Sequence, residues 1–505
     1  MVAKTFFGLE GVLAQELTAL GAQDVKEGRR MVSFTGDNEM MYRANFCCRT
    51  ALRILKPFCV FKSTSADDLY EKVRSSVHWE DFLTPETTFA IDATVYSEIF
   101  RHSQFVTYRV KDAIADYFME KYGKRPSIRI KSPDLMFNVH IAEDQVTLSL
   151  DSSGEPLFKR GWRAAQTDAP INEVLAAGIL LMAGWDGSQK CLVDPMCGSG
   201  TFLVEAALIA TGTPPGVYRD RYAFQNWRDY DAELFSEIYN DDSMEREFSG
   251  TIYGYDVLGK AIAISRENVK NARLEKYIKL ERMDVADLET APEQGGMLVT
   301  NPPYGQRLVV DGLWDLYATL GTKMKHVFQG FDAWVIGYDS DTLSKIGLHP
   351  SDRIALHNGS LECELRHYQI FSGTYASHRA EQRAAGIERG EVRERPQGRP
   401  AGAKPRFDGE KRPPRKFGHR REEEGGRGPR PFGGKRFTHT EHDEAAENRQ
   451  AEEARLVDDR GRTHSDEFDR KVVRFRQPRL GADKERPIIH GRRKSWKRKD
   501  LPEDQ

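Results

Sequence analysis

Asn301-Pro302-Pro303-Tyr304 closes the apolar run MLVT and concentrates more chemistry than any other tetrapeptide in the chain. The Asn301 side-chain oxygen and the Pro302 carbonyl can each accept one N–H of an exocyclic amino group such as that of guanine. That nitrogen is a poor nucleophile, because its lone pair is delocalised into the ring. Two acceptors bend it toward tetrahedral and aim the pair at an incoming methyl carbon. The prolines stiffen the turn and remove competing donors. Tyr304 offers a ring for an extruded base; such stacking is worth about 1–3 kcal/mol per base and offsets much of the few kcal/mol spent on extrusion. With a sulfonium methyl donor no general base is required, since the leaving group departs neutral and the proton can go to solvent. Positioning is then the main lever, worth roughly 7–11 kcal/mol. Most Pro-Pro pairs only make rigid turns, so this reading depends on the company the tetrapeptide keeps.

That company is a glycine turn and three acids. LVDPMCGSGT, Leu192 to Thr201, joins a buried strand to a helix through small residues. Gly198 and Gly200 tolerate positive φ and let backbone approach a ligand, Ser199 lies between them, and the helix N-terminus offers unpaired N–H groups. A Gly-x-Gly turn alone is commonly structural. Asp194, just ahead of Pro195, ends the strand, where an uncompensated carboxylate is costly unless hydroxyls or a cation meet it. Asp256 ends the next strand, IYGYD, and could accept bonds from both ribose hydroxyls of an adenosine. Asp284, after KLERM, could bind an adenine amino group, although a helix cap is the plainer role for an isolated acid. In dinucleotide folds the acid follows the glycine loop by about 20 residues; here a segment rich in Tyr, Trp and Asp intervenes, which argues against a plain dehydrogenase. Cys197 suggests a nucleophile, but inside the loop its role is packing. His78, His102 and His140 are scattered and define no metal site.

The elements that must hold these residues follow from periodicity. CLVDP, IYGYD, KLERMD and MLVTNPP end strands, each followed by helix-like sequence, the rhythm of an open parallel sheet with helices on both faces. Ligands of such sheets sit outside the carboxyl ends of the strands. Val174 to Trp185 is too short to span a bilayer and reads as a buried helix. Ahead of this lie LEGVLAQELTALGA, a helix stopped by Gly21, and the strand VSFTGD, a small α+β unit. SADDLYEKVRSSV and YRVKDAIADYFMEKYG then read as helices, and TFAIDATVY, SIRIKS, LMFNVHIAED and QVTLSLD as strands, a second α+β module with helices on one sheet face. Arg101, Arg109, Lys111, Lys124, Arg125, Arg129 and Lys131 cluster there near Phe105 and Tyr108. Any one of them reads as a solvated charge; as a group they fit an RNA surface.

The chain carries 75 Lys and Arg against 77 Asp and Glu over 505 residues. About 35 of those bases and about 25 of those acids fall after Tyr375, so a mildly acidic body is followed by a basic tail. From about Ala376 the Arg, Gly, Pro and Glu richness cannot bury enough surface to offset chain entropy, and disorder is expected. The six cysteines form no C-x-x-C pair, which fits a reducing cytoplasm without structural zinc. The first residues lack the pattern of a secretion signal.

FFGLEGVLAQELTALGA, HSQFVTYRVKDAIADYF, FKRGWR, API followed by LAAGIL, VDPMCGSGTFLVEAA, FQNWRDYDAELF, ISRENVKNARL and TNPPYGQRL together resemble the THUMP-domain class I methyltransferases. The resemblance spans about residues 1–374 and is strongest to the bacterial 23S ribosomal RNA guanine-N2 methyltransferases. It implies an α/β chain with a ferredoxin-like α+β domain (1–55), a THUMP domain that grips RNA (56–155), a Rossmann-like methyltransferase domain (156–374) and a disordered basic tail (375–505). It sets S-adenosylmethionine against Asp194, Pro195, Gly198, Ser199, Gly200, Asp256 and Asp284, and the target amino group against Asn301 and Pro302, with Tyr304 beside them. FQNWRDYD accounts for the long segment before Asp256. Some relatives fuse a second methyltransferase behind the first; here the tail follows instead, no companion activity is expected, and the tail reads as a salt-sensitive RNA tether. The function implied is N2-methylation of guanine in 23S ribosomal RNA, free or within a pre-ribosomal large subunit. The rivals are transfer-RNA guanine methylation, adenine-N6 or glutamine-amide methylation through the same turn, and a catalytically silent RNA-binding ribosome assembly factor.

Overall fold

The structure is a computed structural model that describes residues 1–167, 169–303, 312–359, 361–371 and 373. Tyr304 and the expected tail lie outside the described residues.

The chain opens with β1 (Val2–Lys4), α1 (Glu10–Ala19), β2 (Gln23–Gly28), β3 (Met31–Thr35), α2 (Asn38–Cys47) and β4 (Arg53–Lys62). It continues through α3 (Ala66–Ser75), β5 (Thr88–Tyr96), α4 (Ser103–Tyr122), β6 (Ser127–Ile128), β7 (Leu135–Ala142) and β8 (Gln145–Asp151). These eight strands form one sheet in the order β2-β3-β1-β4-β8-β7-β5-β6. The expected break at residue 55 falls inside β4, whose start pairs with β1 and whose length from Leu55 onward pairs with β8. The register shifts between Pro57 and Cys59, as suits a proline that cannot donate to the ladder. SIRIKS yields only a two-residue edge strand, paired with the start of β5, and Ile130 is left 86% exposed. The polar stretch Gln23–Gly28 pairs at the opposite edge; an edge strand needs backbone partners on one side only and can do without apolar alternation.

Next come α5 (Glu173–Met182), β9 (Cys191–Asp194), α6 (Thr201–Ala210), α7 (Ala232–Asn240), β10 (Thr251–Asp256), α8 (Gly259–Ala272), β11 (Ile278–Arg282) and β12 (Gly296–Thr300). The last elements are α9 (Leu313–His326), β13 (Phe331–Gly337), α10 (Ser340–Ser344), β14 (Asp352–Asn358) and β15 (Leu361–Gln369). The second sheet runs β11-β10-β9-β12-β13-β15-β14. Its first five strands in that order are parallel, while β15 is antiparallel to both neighbours. The uninterrupted apolar strands are explained by burial on both sides. Leu192, Met297, Val299 and Ile336 point into a core with α5, α6 and α8. Their alternates Val193, Leu298 and Val335 point into another with Tyr317, Leu320 and Met324 of α9.

The segment between α6 and β10 packs away from its own sheet. Tyr222, Phe224, Trp227, Phe235, Ile238 and Tyr239 join the core of the first body. Phe224 stacks on Tyr42 of α2, 4.5 Å between ring centroids. Its N–H donates to the Ser152 carbonyl (3.1 Å), Asn226 donates to the Asp134 carbonyl (2.9 Å), and Arg228 to that of Glu80 (2.7 Å). The insertion of the second body therefore completes the core of the first. Buried Arg160 reinforces the join, donating to the Arg49 carbonyl (2.5 Å) and to Glu205 of α6 (3.3 Å).

Candidate functional site

At β9 the strand order reverses: β10 lies on one side and β12 on the other, which leaves a crevice at the carboxyl ends. The strand-end residues singled out from sequence meet at this edge. Asp194 ends β9, Asp256 ends β10, Asp284 follows β11 and Asn301 follows β12.

Pro195 is buried, and the loop after it turns through Gly198 (φ +54°) and Gly200 (φ +79°), the latter capping α6. A Cβ on Gly200 would stand 2.9 Å from the Ser265 hydroxyl oxygen, so only glycine fits; at Gly198 the nearest atom, Thr167 Oγ1, is 3.8 Å away, leaving that backbone open to a ligand. Asp256 ties the crevice together: one carboxylate oxygen accepts from the Gly198 N–H (3.0 Å), the other from that of Leu258 (2.8 Å). Both oxygens keep acceptor capacity. Asp194 is 1% exposed and accepts from the Met196 N–H (3.1 Å). Burial pushes its carboxyl up to about 7, and the neighbouring Asp256 acts in the same direction. Burial raises Asp256 as well. Asp284 caps a short turn by accepting from the Ala286 N–H (2.9 Å). Cys197 is buried, 3.9 Å from the Ser265 hydroxyl, with its thiol held far above the ordinary range by burial; it packs and does not attack.

Across the crevice, the Asn301 side-chain oxygen is buried and has no hydrogen-bond partner among the described residues. Pro302 is buried, and the Pro303 carbonyl accepts from the hydroxyl of fully buried Tyr317 (3.5 Å), which fixes the turn against α9.

Three side chains given no role in the sequence reading hold the glycine loop. Arg163 of FKRGWR donates to Glu173 (2.6 Å), to the Ser199 hydroxyl (2.8 Å) and to the Thr201 hydroxyl (2.8 Å). Asn268 donates to the carbonyls of Ser199 and Ala165 (2.9 Å each), and Ser265 to that of Gly198 (2.9 Å). Ser265 and Asn268 are both buried, and their i, i+3 spacing in ISRENVKNARL puts them on one helix face. Buried polar residues at that spacing were the available signal.

The basic residues of the first body divide. Arg109 pairs with Asp67 (2.5 Å) and lies over the Tyr70 ring, and Lys111 pairs with Asp112 (2.7 Å). Lys124, Arg125, Arg129 and Lys131 are exposed around β6, and Arg101 is exposed ahead of α4, whose first turns expose Phe105 and Tyr108. Among the described residues no His, Cys, Asp or Glu group could hold a metal ion, and no helix is long and apolar enough to cross a membrane.

Three family models match the chain: the RlmL ferredoxin-like domain over residues 1–55, the THUMP domain over 63–151 and the RMKL-like methyltransferase domain over 160–367. The chain is 43% identical over 374 residues to the ribosomal RNA large subunit methyltransferase K/L of Syntrophotalea carbinolica, covering 72% of this chain and 52% of that protein. It thus spans about half the length of that relative. Against a Synechocystis protein named as a putative RNA methyltransferase it is 36% identical, covering 72% of this chain and 95% of the other. The crystal structure of a putative methyltransferase complexed with SAH superposes with a TM-score of 0.65 at 30% identity, covering 74% of this chain and 98% of that one.

Proposed function

We propose, from the premise that this chain belongs to the RMKL-like methyltransferases that carry a THUMP domain, that it places the methyl group of S-adenosylmethionine on the N2 amino nitrogen of a guanine in large-subunit (23S) ribosomal RNA. The observation that carries this reading is the buried side-chain oxygen of Asn301, which has no hydrogen-bond partner among the described residues. A buried acceptor without a donor costs about 1–3 kcal/mol, and a substrate N–H arriving at the end of β12 relieves that cost.

The crevice fits the cofactor. It offers an open backbone at Gly198, an N-terminal helix end after Gly200, and two carboxylates, Asp194 and Asp256, whose charged form burial disfavours until donors or a cation meet it. When bound, the cofactor supplies a methyl carbon made electrophilic by its sulfonium. Asp256 would accept hydroxyl donors of its ribose, Asp194 would meet its polar or cationic part, and Asp284 would read its base; Pro195, Ser199 and Gly200 shape the loop. On the far side Asn301 and Pro302 accept the two N–H groups, draw the nitrogen toward tetrahedral and hold it for attack. Tyr304 provides a stacking ring. The proton leaves to solvent. In this reading residues 56–155 grip RNA, aided by the basic edge around β6, residues 156–374 transfer the methyl, and residues 375–505 act as a tether. The Syntrophotalea relative, named for large-subunit ribosomal RNA, favours that substrate.

The test is mass-spectrometric mapping of N2-methylguanine in ribosomal and transfer RNA from cells with and without the protein, together with transfer of labelled methyl by the purified chain. Loss of one N2-methylguanine from 23S RNA supports the proposal. Loss from transfer RNA moves the substrate, and no labelling of any RNA leaves an assembly factor.

A further inference from the structure

A cavity of about 540 Å³ lies beside the crevice, lined among others by Phe6, Phe158, Lys159, Arg163, Gln166 and Asn358. Asn358 ends β14, which runs parallel to β13 because β15 is antiparallel to both, so the cavity opens at the same carboxyl edge as Asn301. Its volume is that of a small-ligand pocket. Arg163 belongs both to its wall and to the clamp on Ser199, so cavity and glycine loop are contiguous. Yet Asp194, Asp256 and Asn301 do not line it; neither the cofactor's adenosine nor the target amino group would sit there.

The lining chemistry is that of a nucleotide site. Phe6 and Phe158 are half-buried rings packed against the core behind them, placed to receive a base. Gln166 is exposed, and an amide can read a base edge. Lys159 pairs with Glu155 at 3.1 Å, an exposed pair that a phosphate can open at little cost. Phe6 lies in the loop between β1 and α1, so the body with the basic edge supplies one wall of a cavity at the transfer site.

We infer that this cavity binds a nucleotide flanking the target in the same RNA strand, anchoring the strand while the guanine is turned toward Asn301. The inference rests on the RNA-methyltransferase reading. The test compares the full chain with Phe6→Ala, Phe6→Trp and Gln166→Ala, measuring kcat and the KM for undermodified large-subunit RNA and for S-adenosylmethionine. Phe6→Ala should raise the RNA KM about tenfold or more, the loss of one stacked base, leaving kcat and the cofactor KM unchanged; Phe6→Trp should restore it. Gln166→Ala, at an exposed side chain, should shift the RNA KM the same way even if Phe6→Ala misfolds. RNA lacking one flanking base should erase the difference between Phe6→Ala and its parent. A rise in the cofactor KM instead would assign the cavity to the cofactor and overturn the inference, as would an unchanged RNA KM in a parent that methylates RNA. A parent that methylates no RNA overturns both readings.

Discussion

Asp194→Asn should make the cofactor-free protein more stable at neutral pH while weakening its hold on S-adenosylmethionine. The Asp194 carboxyl is 1% exposed, accepts one backbone N–H from Met196 and faces Asp256. These surroundings move it from 3.8 to about 7. A folded-state value above the unfolded one means that the neutral acid is favoured in the fold. Its contribution is intact below about pH 4 and is lost as pH rises through 7. At 1.36 kcal/mol per pH unit, the full loss is about 4 kcal/mol, an upper bound. Asparagine keeps the acceptor for Met196 and never ionises. The gain in stability over the parent should therefore be about 3 kcal/mol larger at pH 8 than at pH 5, or roughly 5–10 °C in Tm. Asp256 shifts in the same direction and keeps some pH dependence in the variant. Thermal unfolding of both proteins without cofactor, at pH 5 and pH 8, gives the comparison. A stability difference that is equal at the two pH values would refute the reasoning, because then the buried carboxyl costs the fold nothing when ionised.

Asn301→Ala should abolish methyl transfer while cofactor binding, followed by calorimetry, persists; full activity would discard the amino-group mechanism. Arg163→Gln removes one clamp on the glycine loop and leaves Glu173 without its cation, so it should cost about 2–4 kcal/mol in denaturant unfolding and weaken cofactor binding; an unchanged cofactor Kd would reduce Arg163 to packing. Phe224→Ala should destabilise the protein by about 3–5 kcal/mol; a loss below about 1 kcal/mol in urea melts would contradict the shared aromatic core. Removing the residues after Thr374 should leave transfer intact but weaken RNA binding and flatten its salt dependence, with an unchanged salt slope counting against a tether.

What could be read in advance was local. Gly21 lies two residues beyond the end of α1 and Gly123 directly follows α4, and the apolar runs at β9, β10 and β12 are strands closed by Asp194, Asp256 and Asn301. What could not be read depends on pairing across distance. Nothing in Arg53–Lys62 announces that one strand has partners in two modules, since a strand's pattern records how its faces are buried and not which neighbours line its edges. The reversal of β15 escaped for the same reason. Arg163 and Asn268 were visible only as members of longer motifs, because a polar clamp acquires meaning from the atoms it reaches, 36 and 69 residues further along or back in the chain. The aromatic insertion was read as spacing; its partner, Tyr42, lies far upstream.

That insertion has a consequence for how the chain comes into being. Residues 1–151 emerge from the ribosome first, yet their hydrophobic interior is completed by Tyr222 to Tyr239, which are synthesised later. Until then the Tyr42 and Phe46 side of the nascent body stays uncovered, and only arrival of the insertion lets it close. Maturation of the amino-terminal half is thus deferred to the middle of the gene, and a fragment cut at residue 151 would present that sticky flank permanently.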